Sequence, residues 1–538
     1  RILRRNLARR PGPGATPTMR TALLLALGVV VLGDECPVSI PNAKVAPGFC
    51  AEELVDGLSK PWGLAYDPRD GGILVVERNK EQITLLTFDE EGNVASAAAV
   101  ASAPDLNHGV ALRDDLLYAS SDTTVYRWRY APGAEATDRT AVVTGISADG
   151  RGGAPGGHTT RTLVLDGAGH MYVSVGSAGN VDADSYRSRV RNCGDLSAVA
   201  DAVDFDACAV FADGLRNEVG LAFDAAGRLW GVENSADNLR RSDLGGDIHN
   251  ENPAEELNLL VDGGFYGYPW CWTGGPNTAF AGSQWAWPST METKDDGWCA
   301  DNAVAPALAM QAHSAPLGLA FYETVGGDGA FPADADGDCF VAFHGSWNRD
   351  IPTGYKVVRV RFADGAPASI EDLLAHDGDA AKWPNGLRPV DAVFDGRGRL
   401  VVSDDGANTV FRISAAPATA RETPAPTTTT AATARETPAP TTTIPDDCDI
   451  CAPLPPPPGE SDATRCAKVG KRKSRKEKKR ACKAATFCKW AKKKCVPRPG
   501  AKDYCSHVAK KKKNEKRACK RKPAHCRWKR KSKRCVNR

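Results

Sequence analysis

A sequence pattern typical of two consecutive strands recurs about six times between Trp62 and Asp405, and it constrains the fold more than any other feature. Each copy has an apolar run, a tight turn rich in Asp and Gly, a second apolar run and then a polar residue, which is typical of a β-hairpin. Hairpins repeated along a chain predict one blade per copy. We therefore expect an all-β, six-bladed β-propeller whose inner strands direct residues to a central pocket. The clearest copy is L-R-N-E-V-G-L-A-F-D-A-A-G-R-L-W-G-V-E over 215–233, and the others begin at Pro61, His108, His158, Pro316 and Leu387.

The charge distribution divides the chain into an acidic body and a basic tail. From residue 464 onward Lys and Arg number 33 and Asp and Glu number 3, which leaves 36 basic and 63 acidic residues before it out of totals of 69 and 66. The formal charge of +3 therefore hides a body of about −27 and a tail of about +30, which indicates separate modules with separate partners. We expect the propeller over 35–414, a disordered Thr/Pro-rich linker over 415–459 and two basic, disulfide-rich repeats over 460–538.

The basic tail is a tandem repeat. Each unit has four cysteines, one K-R-A-C-K sequence and one C-x-W sequence, the latter at Cys488/Trp490 and Cys526/Trp528. Four cysteines in a unit of about 30 residues suit a small domain held by two disulfide bonds, because its core alone is too small. Zinc ligation is the alternative. The density of Lys and Arg predicts that a secreted tail binds an anionic polysaccharide or cell wall rather than nucleic acid.

The N-terminal region has the pattern of a targeting sequence. Arg20 precedes an apolar run, Thr21–Leu32, of about a dozen residues, which is too short to span a bilayer. We expect 1–34 to comprise an upstream segment and a signal peptide starting at Met19, with no membrane span elsewhere. The 17 cysteines fit the oxidising environment of a secreted, extracellular protein. The expected disulfide pairs are Cys193–Cys208 and Cys271–Cys299, with Cys36–Cys50 as a further candidate, which leaves Cys339 unpaired in the body.

Four polar motifs in the body carry candidate chemistry. His158 lies just before a predicted inner strand, where a histidine can take a proton from a hydroxyl near neutral pH. Arg216 and Asn217 offer a planar cationic fork beside an amide. The stretch 233–258 is rich in the hard oxygen donors that calcium favours. The sequence H-G-S-W-N-R from His344, with Arg388 further on, adds an aromatic face and cations. The first three motifs also have structural interpretations, as a turn histidine, an inter-blade arginine and a solvated acidic loop.

Six motifs occur in order over about residues 50–414. They are H-x-x-R-T before a strand, G-L-R-N-x-x-G-L-A-F-D, G-G-F-Y-G-x-P, A-P-L-G-L-A-F-Y, H-G-S-W-N-R and R-P-V-D-A-V. Taken together, they resemble the glucose/sorbosone dehydrogenase family, and in particular its sorbosone and pyranose dehydrogenase branch. The resemblance implies a propeller that binds pyrroloquinoline quinone and calcium and oxidises an aldose or related sugar by hydride transfer to the quinone, with an external electron acceptor.

The resemblance also implies roles for single residues. His158 resembles the general base that removes the proton of the sugar hydroxyl. Backbone carbonyls of the turn Asn234, Ser235, Ala236 and Asp237 resemble the calcium-binding turn, where the metal would polarise the quinone as a Lewis acid while the quinone carries the redox chemistry. The implied cofactor contacts are Arg161, Arg216, Asn217, Trp347, Arg349 and Arg388.

Departures from the family pattern leave an alternative open. Glucose dehydrogenases of this type carry a carboxylate shortly after the strand that follows the base, whereas this chain reads G-S-A-G-N over 176–180, with Asp182 and Asp184 as the nearest substitutes. Glu218 stands where the family motif has a proline. We therefore keep a second hypothesis, a non-catalytic extracellular propeller that binds a glycan or a protein. Calcium-dependent lactone hydrolysis, known in other six-bladed propellers, is disfavoured by the arginine-rich motifs.

Overall fold

The computed structural model describes residues 36, 40–146, 157–182, 187–378 and 382–417, together with four short strands near the C-terminus. Six sheets of four or five strands follow one another through the body. The inner two strands of every sheet coincide with one of the six predicted hairpins, which confirms the all-β, six-bladed propeller. In blades numbered 1 to 6 along the chain, these pairs are Pro61–Tyr66 with Ile73–Glu77, Val110–Arg113 with Leu116–Ser120, Leu163–Leu165 with His170–Val175, Glu218–Phe223 with Leu229–Glu233, Pro316–Phe321 with Cys339–Phe343, and Pro389–Phe394 with Leu400–Asp404.

The outer strands complete the blades. Strand Phe49–Val55 pairs antiparallel with Thr409–Ala415, so the N-terminal part of the body supplies the fourth strand of blade 6 and closes the ring. Ala43–Val45 is added to blade 5, and two short strands, Val203–Asp204 and Gly264–Phe265, are added in parallel to blades 2 and 3. The other outer strands are Gln82–Phe88 and Val94–Ser102 in blade 1, Val125–Arg129 and Thr137–Thr144 in blade 2, Arg189–Asp195 and Ala209–Asp213 in blade 3, Glu255–Leu260 and Leu308–Met310 in blade 4, and Lys356–Ala363 and Ala366–His376 in blade 5.

Blade 4 carries an insertion between its third and fourth strands. A hairpin, Cys271–Thr273 with Gln284–Ala286, is followed by the helix Asp296–Asn302. The carboxylate of Asp295 accepts the backbone N–H of Trp298 at 2.9 Å and caps the helix. The smaller elements are the hairpin Arg240–Arg241 with Gly246–Asp247 and the 3₁₀ turns Arg78–Lys80, Phe205–Ala207, Pro288–Thr290 and Ala333–Ala335.

The inner strands pack closely around the axis because glycine recurs at one position of the repeat. A Cβ atom on Gly63 would lie 1.9 Å from the carbonyl oxygen of His108. The equivalent residue of blade 6 is Asp391, whose carboxylate accepts the backbone N–H of Leu64 at 2.8 Å and links blade 6 to blade 1. An axial cavity of about 230 Å³ remains between the strands. Loops that lead into the inner strands carry the candidate site.

Three disulfide bonds stabilise the body. They join Cys36 to Cys50, Cys193 to Cys208 and Cys271 to Cys299, so the predicted pairs are confirmed. Cys339 is buried and free, in agreement with its prediction as the unpaired cysteine of the body.

The chain divides into two compact units, Arg1–Pro426 and Thr427–Arg538. In the second unit the structure describes two hairpins, Cys488–Ala491 with Lys494–Pro497 and Cys526–Lys529 with Arg534–Asn537. The predicted signal peptide, most of the predicted linker and the rest of the tail lie outside the described residues, and the predicted domain boundaries stay predictions. Among the described helices, none has the length and apolar character needed to cross a membrane.

Candidate active site

His158 lies in the loop before the inner strand of blade 3, and its ring is held in one orientation. Its Nδ1 is 2.9 Å from the carbonyl oxygen of Ser177 and 3.1 Å from Ser177 Oγ. A carbonyl oxygen can only accept a hydrogen bond, so Nδ1 carries the proton and Nε2 keeps its lone pair. Arg161 supports the same loop, because its Nη1 donates to the carbonyl oxygen of His158 at 3.0 Å. The arrangement leaves Nε2 free to accept a proton.

The electrostatic surroundings keep His158 uncharged. Burial and then the positive charge of Arg216 lower the pKa of His158 to about 4. An imidazole with this pKa is neutral at neutral pH, and a neutral imidazole is the form that can act as a general base.

Arg216 lies in the loop before the inner strand of blade 4, and the structure gives its guanidinium several partners. Nη2 donates to the carboxylate of Asp237 at 3.0 Å and to the side-chain oxygen of Asn180 at 3.1 Å. Nη1 donates to the carbonyl oxygen of Asn234 at 3.0 Å. The stretch 176–180, which lacks the family carboxylate, therefore supplies an amide that joins Arg216 to Asp237.

Of the two carboxylates that follow this stretch, Asp182 does not replace the missing one. Asp182 forms an ion pair with Arg187 and accepts the backbone N–H of Ala178 at 3.2 Å. Asp184 lies outside the described residues. The acidic group whose charge acts on His158 is Asp237, from blade 4.

The turn from Asn234 to Asp237 forms a second wall of the site. Besides Arg216, Asp237 accepts Nδ2 of Asn348 at 2.7 Å and lies 3.5 Å from Nδ1 of His313. Burial would raise the pKa of Asp237, but the hydrogen bond from His313 and the charge of Arg216 lower it. Burial would likewise lower the pKa of His313, but the hydrogen bond to Asp237 and the charge of Glu255 raise it. The two groups therefore favour an ionised pair.

Glu255 is a buried carboxylate on the same wall. It accepts the backbone N–H of Ser235 at 2.8 Å and that of Ala315 at 3.3 Å. Burial raises the pKa of Glu255 to about 7. Its carboxylate thus joins the turn of blade 4 to the loop between blades 4 and 5.

These groups enclose a cavity of about 140 Å³. Trp347 is 74% exposed at its rim and offers a flat apolar face. Ala236 does not line the cavity, because it packs in an apolar cluster with residues such as Leu239 and Tyr268. The predicted residues that the cavity brings together are His158, Arg216, Asn217, Asn234, Ser235, Asp237 and Trp347, and the remaining lining residues are Glu255, His313, Ala315, Ser346 and Asn348.

Three of the predicted cofactor contacts lie outside the lining of this cavity. Arg161 is fully buried and donates to loop carbonyls. Arg349 forms an ion pair with Glu251. Arg388 donates to the carbonyl oxygen of His344 at 3.0 Å and forms no ion pair within the part of the chain that the structure describes. Their contacts with a cofactor stay predictions.

Sequence reasoning missed Glu255, His313 and Asn348. Glu255 lies inside the acidic stretch 233–258, next to Glu256 on one strand. Consecutive side chains of a strand face opposite sides of the sheet, so one of two adjacent glutamates has to face inward, which was an available signal for a buried carboxylate. Asn348 lies inside the motif from His344. His313 comes from a loop between blades and belongs to no motif.

Fold and site together define a six-bladed β-propeller with a neutral, partly buried histidine and an arginine–aspartate pair in a pocket at the axial loops. The chain belongs to the TrAA12-like family, whose match covers residues 43–416. The family resemblance predicted from the sequence motifs is thereby confirmed.

Two curated relatives are named as quinone-dependent sugar enzymes. The pyrroloquinoline quinone-dependent pyranose dehydrogenase of Coprinopsis cinerea is 33% identical over 425 residues, covering 70% of this chain and 56% of that protein. The chain thus spans little more than half of that relative's length. The pyrroloquinoline quinone-dependent sugar dehydrogenase of Hypocrea jecorina (strain QM6a) is 30% identical over 440 residues, covering 72% of this chain and 95% of that protein.

Two solved structures share the fold of the body. The holo form of the pyranose dehydrogenase PQQ domain from Coprinopsis cinerea has 31% identity and a TM-score of 0.62, covering 71% of this chain and 99% of that domain. The calcium structure of the Trichoderma reesei carbohydrate-active enzyme of family AA12 has 30% identity and a TM-score of 0.63, covering 70% of this chain and 98% of that one.

Proposed function

We propose that the chain is a pyrroloquinoline quinone- and calcium-dependent dehydrogenase that oxidises an aldose or related sugar, with His158 as the general base. The observation that carries the proposal is the ring of His158, whose Nδ1 is held by the carbonyl of Ser177 while the pKa is lowered to about 4. A fixed, neutral imidazole beside a cation is suited to take the proton of a substrate hydroxyl. The names of the relatives support the same activity.

The residues at the site fit a flat, anionic quinone. Arg216 and Asn217 offer donors on one wall, and the exposed indole of Trp347 offers a flat surface at the rim. The side-chain oxygen of Asn348 is buried without a hydrogen-bond partner in the described structure, so the pocket has unused polar capacity. Arg388, which forms no ion pair in the described structure, would neutralise a cofactor carboxylate.

Calcium fits the oxygen-rich turn from Asn234 to Asp237, which forms the second wall of the site. Calcium favours backbone carbonyls and carboxylates, and the turn 234–237 lies beside the carboxylates of Asp237 and Glu255. The described residues contain no group of three or more His, Cys, Asp or Glu side chains that could hold a metal. The backbone carbonyl of Ser235, which lines the cavity, would hold the ion together with oxygens of the cofactor.

When bound, the quinone supplies the acceptor for the hydride of the sugar carbon, and calcium supplies a Lewis acid. His158 accepts the hydroxyl proton at Nε2. The carbonyl of Ser177 keeps Nδ1 protonated and therefore fixes which nitrogen acts. Arg216, held by Asp237 and Asn180, keeps a positive charge close enough to act on His158.

Absorbance titration of the full chain with pyrroloquinoline quinone, with and without calcium, tests the proposal. We expect saturable binding that removal of calcium with a chelator weakens. A chain that folds but does not bind the quinone would refute the proposal, and the non-catalytic propeller would then be favoured, since the carboxylate of Asp182 is occupied by Arg187 rather than by the base.

We further propose that the protein is secreted and that its tail binds an anionic polysaccharide or cell wall. Three disulfide bonds in the body support an oxidising environment. The tail charge of about +30 supports a polyanionic partner. The electrons taken from the sugar would pass to an external acceptor.

A further inference from the structure

Three buried polar atoms in neighbouring side chains of blades 1 and 2 have no hydrogen-bond partner in the described structure. They are Nε1 of Trp62, Oδ1 of Asn107 and Nδ1 of His108. The three side chains are at most 9% exposed, and the rings of Trp62 and His108 lie 5.4 Å apart. A buried polar group without a partner is unfavourable, so a cluster of three indicates a place where a polar ligand is expected.

The repeat shows that this polarity is local. Trp62 and His108 occupy the repeat position just before the axial glycine. In blades 4, 5 and 6 the same position is Val219, Leu317 and Val390, which pack with Trp62 in one apolar cluster. In blade 3 the same position is the buried Arg161, so polar side chains occupy it in the neighbouring blades 2 and 3 and apolar ones in blades 4 to 6.

Arg78 places a cation beside this cluster and beside the proposed base. Its guanidinium carbon lies 5.1 Å from the Trp62 ring, and its Nη2 lies 3.5 Å from Oγ1 of Thr159, the residue that follows His158. Nδ2 of Asn107 donates to the carbonyl oxygen of the same Thr159 at 2.9 Å.

The charge of Arg78 is not matched by a close acidic group. Arg78 forms no ion pair within the described ranges. Asp122 interacts with it electrostatically, without an ion pair. A planar guanidinium that has no carboxylate partner can receive one from a ligand.

Resting on the function proposed above, we propose that Trp62, Arg78, Asn107 and His108 form a subsite for an acidic sugar, in which Arg78 binds the carboxylate of a hexuronate. The indole N–H, the imidazole and the amide oxygen provide the mixed donors and acceptors that sugar hydroxyls require. Arg78 and Asn107 both contact Thr159, the residue after His158, so the subsite adjoins the loop that carries the proposed base.

The test compares glucuronate with glucose on the full chain loaded with quinone and calcium, using wild type, Arg78→Gln and Arg129→Gln. Arg129 is a matched control, since it is 57% exposed and pairs with Asp115 on the outside of blade 2. We expect Arg78→Gln to lower kcat/KM for glucuronate, relative to kcat/KM for glucose, by about 10- to 100-fold, the effect of losing a hydrogen bond to a charged group. Arg129→Gln should leave the ratio unchanged. Calorimetric binding of glucuronate to the unloaded chain should weaken in parallel.

The outcomes separate this proposal from the function it rests on. An unchanged ratio and unchanged glucuronate binding in Arg78→Gln would overturn the subsite even if glucose is oxidised. Weaker quinone binding with equal losses for both sugars would also overturn it, because Arg78 would then bind a carboxylate of the cofactor. A wild-type chain that binds glucuronate through Arg78 but oxidises no sugar would instead refute the proposed function.

Discussion

At the scale of single residues, the two nitrogens of His158 determine what the site can do. Nδ1 is committed to the carbonyl of Ser177, and Nε2 is not. The carboxylate that the family places near its base is absent from 176–180, yet a neutral carbonyl fixes the tautomer equally well. Burial and then the charge of Arg216 lower the pKa of His158 to about 4, and the hydrogen bond to the Ser177 carbonyl offsets only part of that shift.

The low pKa predicts an unusual acid limb in the activity of the loaded enzyme. The base works in its neutral form, so kcat/KM falls as the pH drops through the pKa of His158 in the free enzyme. We expect this fall near pH 4 rather than near the ordinary histidine value of about 6.5. A pH–rate profile of kcat/KM from about pH 3.5 to about pH 8 measures this fall. A limb at pH 6 to 7, about the range of an unperturbed histidine, would contradict the account.

The sequence motifs predicted site residues that belong to the repeated hairpin pattern and missed site residues that lie outside it. His158 and Arg216 precede inner strands, so the hairpin pattern predicted that both lie near the axis. His313 comes from a loop whose position depends on the packing of blades 4 and 5 and has no local signal. Arg161 and Arg349 lie within recognised motifs. In the described structure Arg161 donates to backbone carbonyls and Arg349 pairs with Glu251, and sequence patterns do not encode these contacts.

At the scale of elements, blade 4 contains a row of three buried glutamates. The register of its strands pairs Glu218 with Glu233 and Glu233 with Glu256. Nδ2 of Asn258 is shared between Glu218 at 3.4 Å and Glu256 at 3.3 Å. No ion pair to Lys or Arg joins these glutamates within the described residues. Burial and the neighbouring acidic groups raise the pKa of Glu218 and Glu233 well above the ordinary value, and burial raises that of Glu256 to about 7.

The glutamate row predicts that the body loses stability as the pH rises. A group whose pKa is raised in the folded state binds its proton more tightly there, so its contribution is complete below the unfolded pKa of about 4.3 and is lost as the pH rises through the folded pKa. We expect the melting temperature to fall from pH 5 to pH 9, and Glu218→Gln to raise it at pH 9 by about 2 °C or more. Thermal unfolding followed by circular dichroism measures both.

The exposed Glu91 provides the control for this experiment. Glu91→Gln removes the same charge from the surface of blade 1 and should leave the pH dependence unchanged. Equal effects of the two substitutions would mean that net charge, rather than the buried row, determines the pH dependence.

Local sequence signals predicted the inner hairpins because a tight turn and alternating burial are properties of about 20 neighbouring residues. The strands that complete the blades were not predictable in this way. Phe49–Val55 pairs with Thr409–Ala415 at the far end of the body, and Gly264–Phe265 joins blade 3 from within blade 4. Such pairings depend on closure of the ring between distant parts of the chain, which no short sequence pattern specifies.

At the scale of the whole molecule, an acidic propeller and a basic tail share one chain. The opposite charges of about −27 and +30 predict that polyanions are bound by the tail and repelled by the body. We expect the full chain to be retained on a heparin column and to elute with salt, and a variant that lacks 447–538 to pass through. Retention of the truncated variant would refute the proposed role of the tail.

Sugar-dependent reduction of a redox dye by the full chain, loaded with quinone and calcium, tests the central claim most directly. Wild type should oxidise the sugar. His158→Gln should bind the quinone equally well, but its turnover should be slower by a factor of about 100 or more, because a general base contributes at least that factor. Equal turnover by wild type and His158→Gln, or no turnover by a wild-type chain with bound quinone, would contradict the account.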